Sequence, residues 1–116
     1  MGLFDRFRKR RKPGTLRGSS NDDTDHLMAW ARQRRGVEAY VEPKTTVTET
    51  TVVLIAHDGE WTRRRVDGPE GARKLGRKLG IPVYDVALVG YPRRMREYTE
   101  RQRVLKKRAQ RDELGG

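Results

Sequence analysis

Residues 51–90, TVVLIAHDGEWTRRRVDGPEGARKLGRKLGIPVYDVALVG, hold the aliphatic density from which a core can be built, and the stretch divides into strand, turn, strand, helix and strand. Thr51–Ala56 is an unbroken β-branched and aliphatic run through Val52, Val53, Leu54 and Ile55. Too short for a helix and bounded by a turn signal, it reads as a central strand buried on both faces. The Asp58-Gly59 pair that follows suits a two-residue type I′ turn, in which both central residues need positive φ. The chain is therefore expected to reverse and return Trp61–Val66 antiparallel. Trp61, Arg63 and Arg65 share one face of that strand, and Thr62, Arg64 and Val66 the other. Three consecutive arginines fit an exposed edge, where charge discourages pairing with another sheet.

The helix after this hairpin is announced at both ends. Asp67 and Glu70 have capping-box spacing, and Pro69 stands in the first turn, where its missing N–H costs nothing. Gly80-Ile81-Pro82 has the order of a Schellman stop: a left-handed glycine, an apolar contact, then a breaker. Between them Ala72, Leu75, Gly76 and Leu79 form an apolar side, opposite a basic side of Arg73, Lys74, Arg77 and Lys78. Gly71 and Gly76 weaken the helix by about 1 kcal/mol each relative to alanine; a close approach of helix to sheet is a reason to keep Gly76. Val83–Val89 reads as a further strand, ended by Gly90-Tyr91-Pro92. A connection this long allows a crossover, so this strand and Trp61–Val66 should run parallel in a mixed sheet.

Outside this unit the chain is polar and cationic. Its 116 residues allow one domain, and 34% hydrophobic against 37% charged residues leaves part of the length for arms. Without cysteine there are no disulfides, thiolate metal sites or thiol catalysis. No apolar run is long enough to span a bilayer, and the basic start lacks the apolar segment of a signal peptide, so cytoplasmic residence, peripheral to the membrane in one reading below, is the expectation. The net charge of +11 lies mainly at the ends: residues 1–20 carry +6, 21–50 carry −2, 51–90 carry +2 and 91–116 carry +5. Such a balance attracts polyanions.

Three parts are expected: a basic arm and linker over 1–20, a compact α+β domain over 21–98, and a projecting basic helix and tail over 99–116. In the arm, Leu3, Phe4 and Phe7 share one side of a helix beside Arg6, Arg8, Lys9, Arg10, Arg11 and Lys12, which is the pattern of a weak interfacial anchor and equally of an arm that finds phosphates. Position 6 is Arg, which excludes a myristoylation signal. Pro13–Ser20 reads as a linker. Asn21–Arg35 reads as a helix with Asp22, Asp23 and Asp25 at its positive end, Arg32, Arg34 and Arg35 at its negative end, and Gly36 as stop. Its apolar face is Leu27, Trp30 and Ala31, with Trp30 able to stack on a base if exposed. Val37–Glu42 alternates as a half-buried strand, with Val37, Ala39 and Val41 inward and Glu38, Tyr40 and Glu42 outward. Thr45–Thr51 has strand propensity without core residues. From Pro92 to about Leu114 the chain reads as one helix with a thin apolar line, Met95, Tyr98, Leu105 and Ala109, in a cationic coat.

The layout of a helix, antiparallel strands and a basic-faced helix resembles small double-stranded RNA-binding domains. Val83–Val89 adds a strand where that layout ends, and no residue role is carried over.

Catalytic patterns are sparse. His57, Asp58 and Glu60 cluster at a turn and Tyr84 and Asp85 on a strand, but neighbours on an extended chain point to opposite faces and a tight turn leaves its groups in water. No phosphate loop, serine elbow or metal-ligand spacing is present. The expectation is a non-enzymatic accessory protein, without cofactor, metal or small-molecule substrate. It would bind nucleic acid, RNA or ribonucleoprotein, at phosphates through Arg73, Lys74, Arg77 and Lys78, through Arg63, Arg64 and Arg65, and through Arg93, Arg94, Arg96, Arg101 and Arg103. Two alternatives stand beside it: a peripheral membrane adaptor held by the 1–20 arm on an anionic surface, and a protein-interaction module for an acidic partner.

Overall fold

The computed structural model describes residues 21–115. Among these the elements run α1 (Asn21–Arg32), β1 (Glu38–Glu42), β2 (Thr51–Ile55), β3 (Trp61–Arg65), α2 (Gly68–Leu79), β4 (Val83–Asp85), α3 (Val86–Val89) and α4 (Arg93–Glu113). The class is α+β with a four-stranded mixed sheet in the order β3-β2-β1-β4. β1 and β3 flank β2 antiparallel, and β4 pairs parallel with β1. β3 and β4 therefore run in the same direction, but they lie at opposite edges of the sheet and are not neighbours.

The sheet has two covered faces. Val52 and Leu54 point to one, where they meet Ala39, Val41 and Val66 beneath Leu27, Trp30 and Ala31 of α1 and Ala72 and Leu75 of α2. Val53 and Ile55 point to the other, onto Met95 of α4, with Tyr40 beside them and Trp61, Val86 and Tyr91 packed around. β2 is thus the buried central strand its composition implies; Val52, Val53, Leu54 and Ile55 are all fully enclosed. β1 differs from its sequence pattern. Tyr40 on its polar side is only 6% exposed, because the start of α4 covers the face that alternation assigns to water.

Several local expectations need revision. The hairpin between β2 and β3 is not type I′: every positive φ among the described residues belongs to glycine, so Asp58 does not take one, while Gly59 has φ +93°. Gly59 N donates to Ala56 O and Ala56 N to Glu60 O, enclosing the three residues 57–59, a longer turn that needs a single left-handed position. Asp67 stands at the N-cap of α2 without a side-chain cap hydrogen bond, so the capping box does not form. The other end behaves as its sequence indicates: Gly80 has φ +67°, and Ile81 N donates to Gly76 O and Gly80 N to Arg77 O. The predicted strand Val83–Val89 stops at Asp85. The Asp85 carboxylate accepts from Ala87 N, a cap that turns the chain into the short helix α3. α1 ends at Arg32, and Thr45–Thr51 gives strand only at Thr51, its earlier part being a loop closed by Thr45 N donating to Thr48 O.

Gly76 is the point where α2 presses on the sheet, because a Cβ there would overlap Val83 Cγ2. Gly76→Ala is expected to lower stability by about 1–3 kcal/mol through overpacking, despite the better helix propensity of alanine. Urea unfolding of the two proteins measures the difference; equal or higher stability of the alanine variant would show that helix and sheet separate freely.

Candidate nucleic-acid interface

The cations that sequence alone groups together divide into two sets in the structure. One set holds the fold. Arg63 on β3 is paired across the sheet face with Glu42, Nε to Oε1 at 2.7 Å and Nη2 to Oε2 at 3.0 Å. Glu42 also accepts from Thr51 Oγ1 at 2.6 Å and from the Tyr91 hydroxyl. Burial alone would raise the Glu42 pKa, but the hydrogen bonds from Arg63, Thr51 and Tyr91 outweigh it and hold the carboxyl below its ordinary value of 4.5. Arg64 points to the opposite face, 3.7 Å from Asp23 of α1. Arg65 is exposed at the strand end and also has a protein contact.

Arg94 is the most committed of this set. Its Nη2 lies 2.5 Å from Glu38 Oε1 and 3.3 Å from Ile55 O, and its Nε donates to Ala56 O at 2.9 Å. One guanidinium thus ties the first turn of α4 to β1 and to the end of β2. The hairpin closes on the same place: a Cβ on Gly59 would overlap Arg94 O. Trp61 Nε1 donates to Thr99 Oγ1 and Arg101 Nη2 to Asp58 O, which fixes α4 against the turn one further step along.

The second set faces solvent. On α2, Arg73, Lys74, Arg77 and Lys78 are all exposed; Arg73 pairs with Glu70 one turn back, and the other three have no ion pair among the described residues. On α4, Arg93 and Arg96 are exposed without an ion pair among the described residues, and Arg103 meets Glu100 at 3.3 Å. Met95 is the one buried residue of α4, and from Thr99 every described residue is exposed. Lys106, Lys107, Arg108 and Arg111 decorate this free part, preceded by Val104, 38% exposed, and Leu105, 55% exposed. α2 and α4 lie on opposite faces of the sheet, so the two basic surfaces are separate.

Other candidates resolve into structural roles. Trp30 is buried under Arg34, whose guanidinium carbon sits 4.2 Å from the ring centre, and is not available to stack on a base. Arg34 also forks onto Glu60 at 3.0 and 2.8 Å. Asp58 accepts from Glu60 N within the turn, and His57 is exposed beside it. His26 Nε2 lies 2.7 Å from Thr62 Oγ1, and burial together with Arg64 lowers its pKa. The membrane-contact residues Leu3, Phe4, Phe7, Arg6, Arg8, Lys9, Arg10 and Arg11 lie outside the described residues. Glu38 and Glu42, which anchor the arginines, escape sequence reading because the alternation of β1 places them on a solvent face. The available signal was the pairing of Met95 and Tyr98 at the start of α4, a helix that needs a surface to cover.

The two sets should separate on substitution. Arg94→Ala is expected to cost about 1–3 kcal/mol, since it removes the charged partner of the half-buried Glu38 carboxylate and a donor to two carbonyls, whereas Arg96→Ala should change stability by less than about 0.5 kcal/mol; denaturant titration distinguishes them. Glu42 adds a pH dependence. Its folded pKa lies below the unfolded one, so its contribution is complete above about pH 4.5 and fades as pH falls through the folded value. Glu42→Gln should flatten the acid limb of stability against pH in that window, and an unchanged limb would mean that the carboxylate contributes nothing.

Comparison with protein-family models, with curated proteins and with solved structures gives no match to this chain.

Proposed function

We propose that this chain is a non-enzymatic accessory protein that binds nucleic acid, RNA or a ribonucleoprotein, through contacts to phosphates. The observation that supports it most is the free part of α4, a helix exposed from Thr99 onward on which Lys106, Lys107, Arg108 and Arg111 have no ion pair among the described residues. At 1.5 Å per residue α4 is about 31 Å long, long enough to follow several phosphates of one strand. Lys74, Arg77 and Lys78 on α2 supply a second basic surface on the other side of the sheet. Contacts of this kind position a backbone without reading bases, and their strength depends on the release of condensed counterions.

A second reading has its own observation. Val104 and Leu105 leave an aliphatic strip among the α4 cations, lined also by Glu97, Arg101 and Arg108, for which a phosphate backbone has no use. An acidic protein with an apolar helical face would use both strip and charge.

A structureless RNA oligomer, titrated at two ionic strengths, tests the first reading. With four to six phosphates engaged, raising salt from about 50 to about 200 mM should weaken binding roughly 10²-fold. Replacing Lys106, Lys107 and Arg108 by Gln should lower the logarithmic salt slope by about 2, while Leu105→Gln leaves it unchanged. No retention at low salt, or retention that ignores salt, would remove the proposal; a loss caused by Leu105→Gln alone would transfer it to the acidic-protein reading.

A further inference from the structure

The free part of α4 carries its charges in an order that composition hides. Glu97, Glu100, Arg101, Val104, Leu105 and Arg108 line one open groove along the helix, and no element among the described residues covers it. Val104 follows Met95 by nine residues, about two and a half turns, so it faces away from the side that Met95 buries in the domain. The hairpin also meets α4 away from the groove, where Gly59 lies against Arg94 O and Tyr98 Cβ.

Glu97, Glu100, Val104, Arg108 and Arg111 follow one another at spacings of three and four, which places them in one stripe of the helix. Glu97 and Arg111 stand seven positions either side of Val104, and Glu100 and Arg108 four positions either side. The stripe is therefore symmetric in position about an aliphatic centre and opposite in charge at its two ends, over about 21 Å. Glu97, Arg108 and Arg111 have no ion pair among the described residues, and Glu100 is shared only with Arg103, in an exposed pair.

A second copy of the helix matches this stripe in one sense only. Laid parallel, carboxylate would face carboxylate and guanidinium would face guanidinium. Laid antiparallel about Val104, Glu97 and Glu100 come level with Arg111 and Arg108 of the second copy, and charges flanking an apolar seam set orientation in this way. The two-fold axis brings Val104 against its own copy, with Leu105 beside it.

The other cations were weighed against this match. Lys107 borders the stripe and falls beside Glu100 of the second copy. Arg101 comes nearest to cations of the second copy, but its guanidinium is drawn back to Asp58 O and over the Tyr98 ring. Arg96, Arg103 and Lys106 lie off the stripe, and Arg93 falls level with the end of the opposite helix. The seam keeps a positive remainder, which salt of about 0.15 M screens beyond about 8 Å while leaving the contact pairs.

We propose that two copies of this chain associate through α4, antiparallel and centred on Val104, with Glu97 and Glu100 of each facing Lys107, Arg108 and Arg111 of the other. The contact is small, so the dimer is weak and depends on concentration. This inference does not rest on the nucleic-acid reading, and its test contains no RNA.

Sedimentation of the nuclease-treated full chain should show an average mass rising from that of one chain towards that of two between about 10 and 500 μM. Val104→Asp, and separately Glu97→Arg with Glu100→Arg, all at exposed positions, should each weaken association at least about tenfold. The chain has no cysteine, so Gln110→Cys, off the stripe, takes a single spin label. Mixed with an isotope-labelled chain that bears no spin label, it should broaden the amide signals of residues 96–100 more than those of residues 108–112. A chain that stays single at about 500 μM overturns the proposal and leaves the groove to an acidic partner. Association that either substitution leaves unchanged, or broadening centred on residues 108–112 or on α3, overturns it as well.

Discussion

The structure depends on β2 having no wet face. Val52 and Leu54 point one way and Val53 and Ile55 the other, and all four are fully enclosed. A single helical layer cannot satisfy such a strand, so the chain must supply cover twice: α1 and α2 on one side, and Val86, Tyr91 and the start of α4 on the other. Each fully buried aliphatic side chain contributes about 1.5–3 kcal/mol, so the second cover is a substantial part of a small domain's stability. It also explains why a helix as polar as α4 is attached at all.

The second layer is thin and is made specific by charge. Met95 is its one buried apolar residue on α4, and its polar contacts include Arg94 on Glu38 and two carbonyls, Trp61 on Thr99, Arg101 on Asp58 O, and Tyr91 with Arg63 on Glu42. Paired, half-buried ions of this kind add little net energy but exclude other orientations. They set where α4 leaves the domain. Because the helix passes the hairpin at Gly59 and then meets no further surface among the described residues, Lys106, Lys107, Arg108 and Arg111 stay exposed. The same constraint that completes the core therefore produces the displayed basic helix.

Arginine richness in this chain has two physical meanings. Arg34, Arg63 and Arg94 are forked onto carboxylates or carbonyls inside the domain, a use that depends on the planar, multi-donor guanidinium. Lys74, Arg77, Lys78, Arg93 and Arg96 face water without ion pairs among the described residues, a use that depends on charge alone. Composition counts both alike.

The sequence by itself determined the elements whose signals are local. The aliphatic run of β2, the reversal at Gly59, the arginine edge of β3, and α2 with Pro69 at its start and Gly80 at its end follow from residue chemistry within a few positions. The parallel sense of β3 and β4 also followed, because a long crossover admits it. Tertiary structure alone decided which strand β4 joins, since pairing with β1 is a choice between distant partners. It ended β4 at Asp85, where a carboxylate reaching Ala87 N overrode the strand propensity of Val86–Val89. It also decided which arginines remain free: a guanidinium is displayed or consumed according to whether a carboxylate from another strand lies within reach, and residues such as Glu38 and Arg94, 56 positions apart, meet only once the sheet has formed.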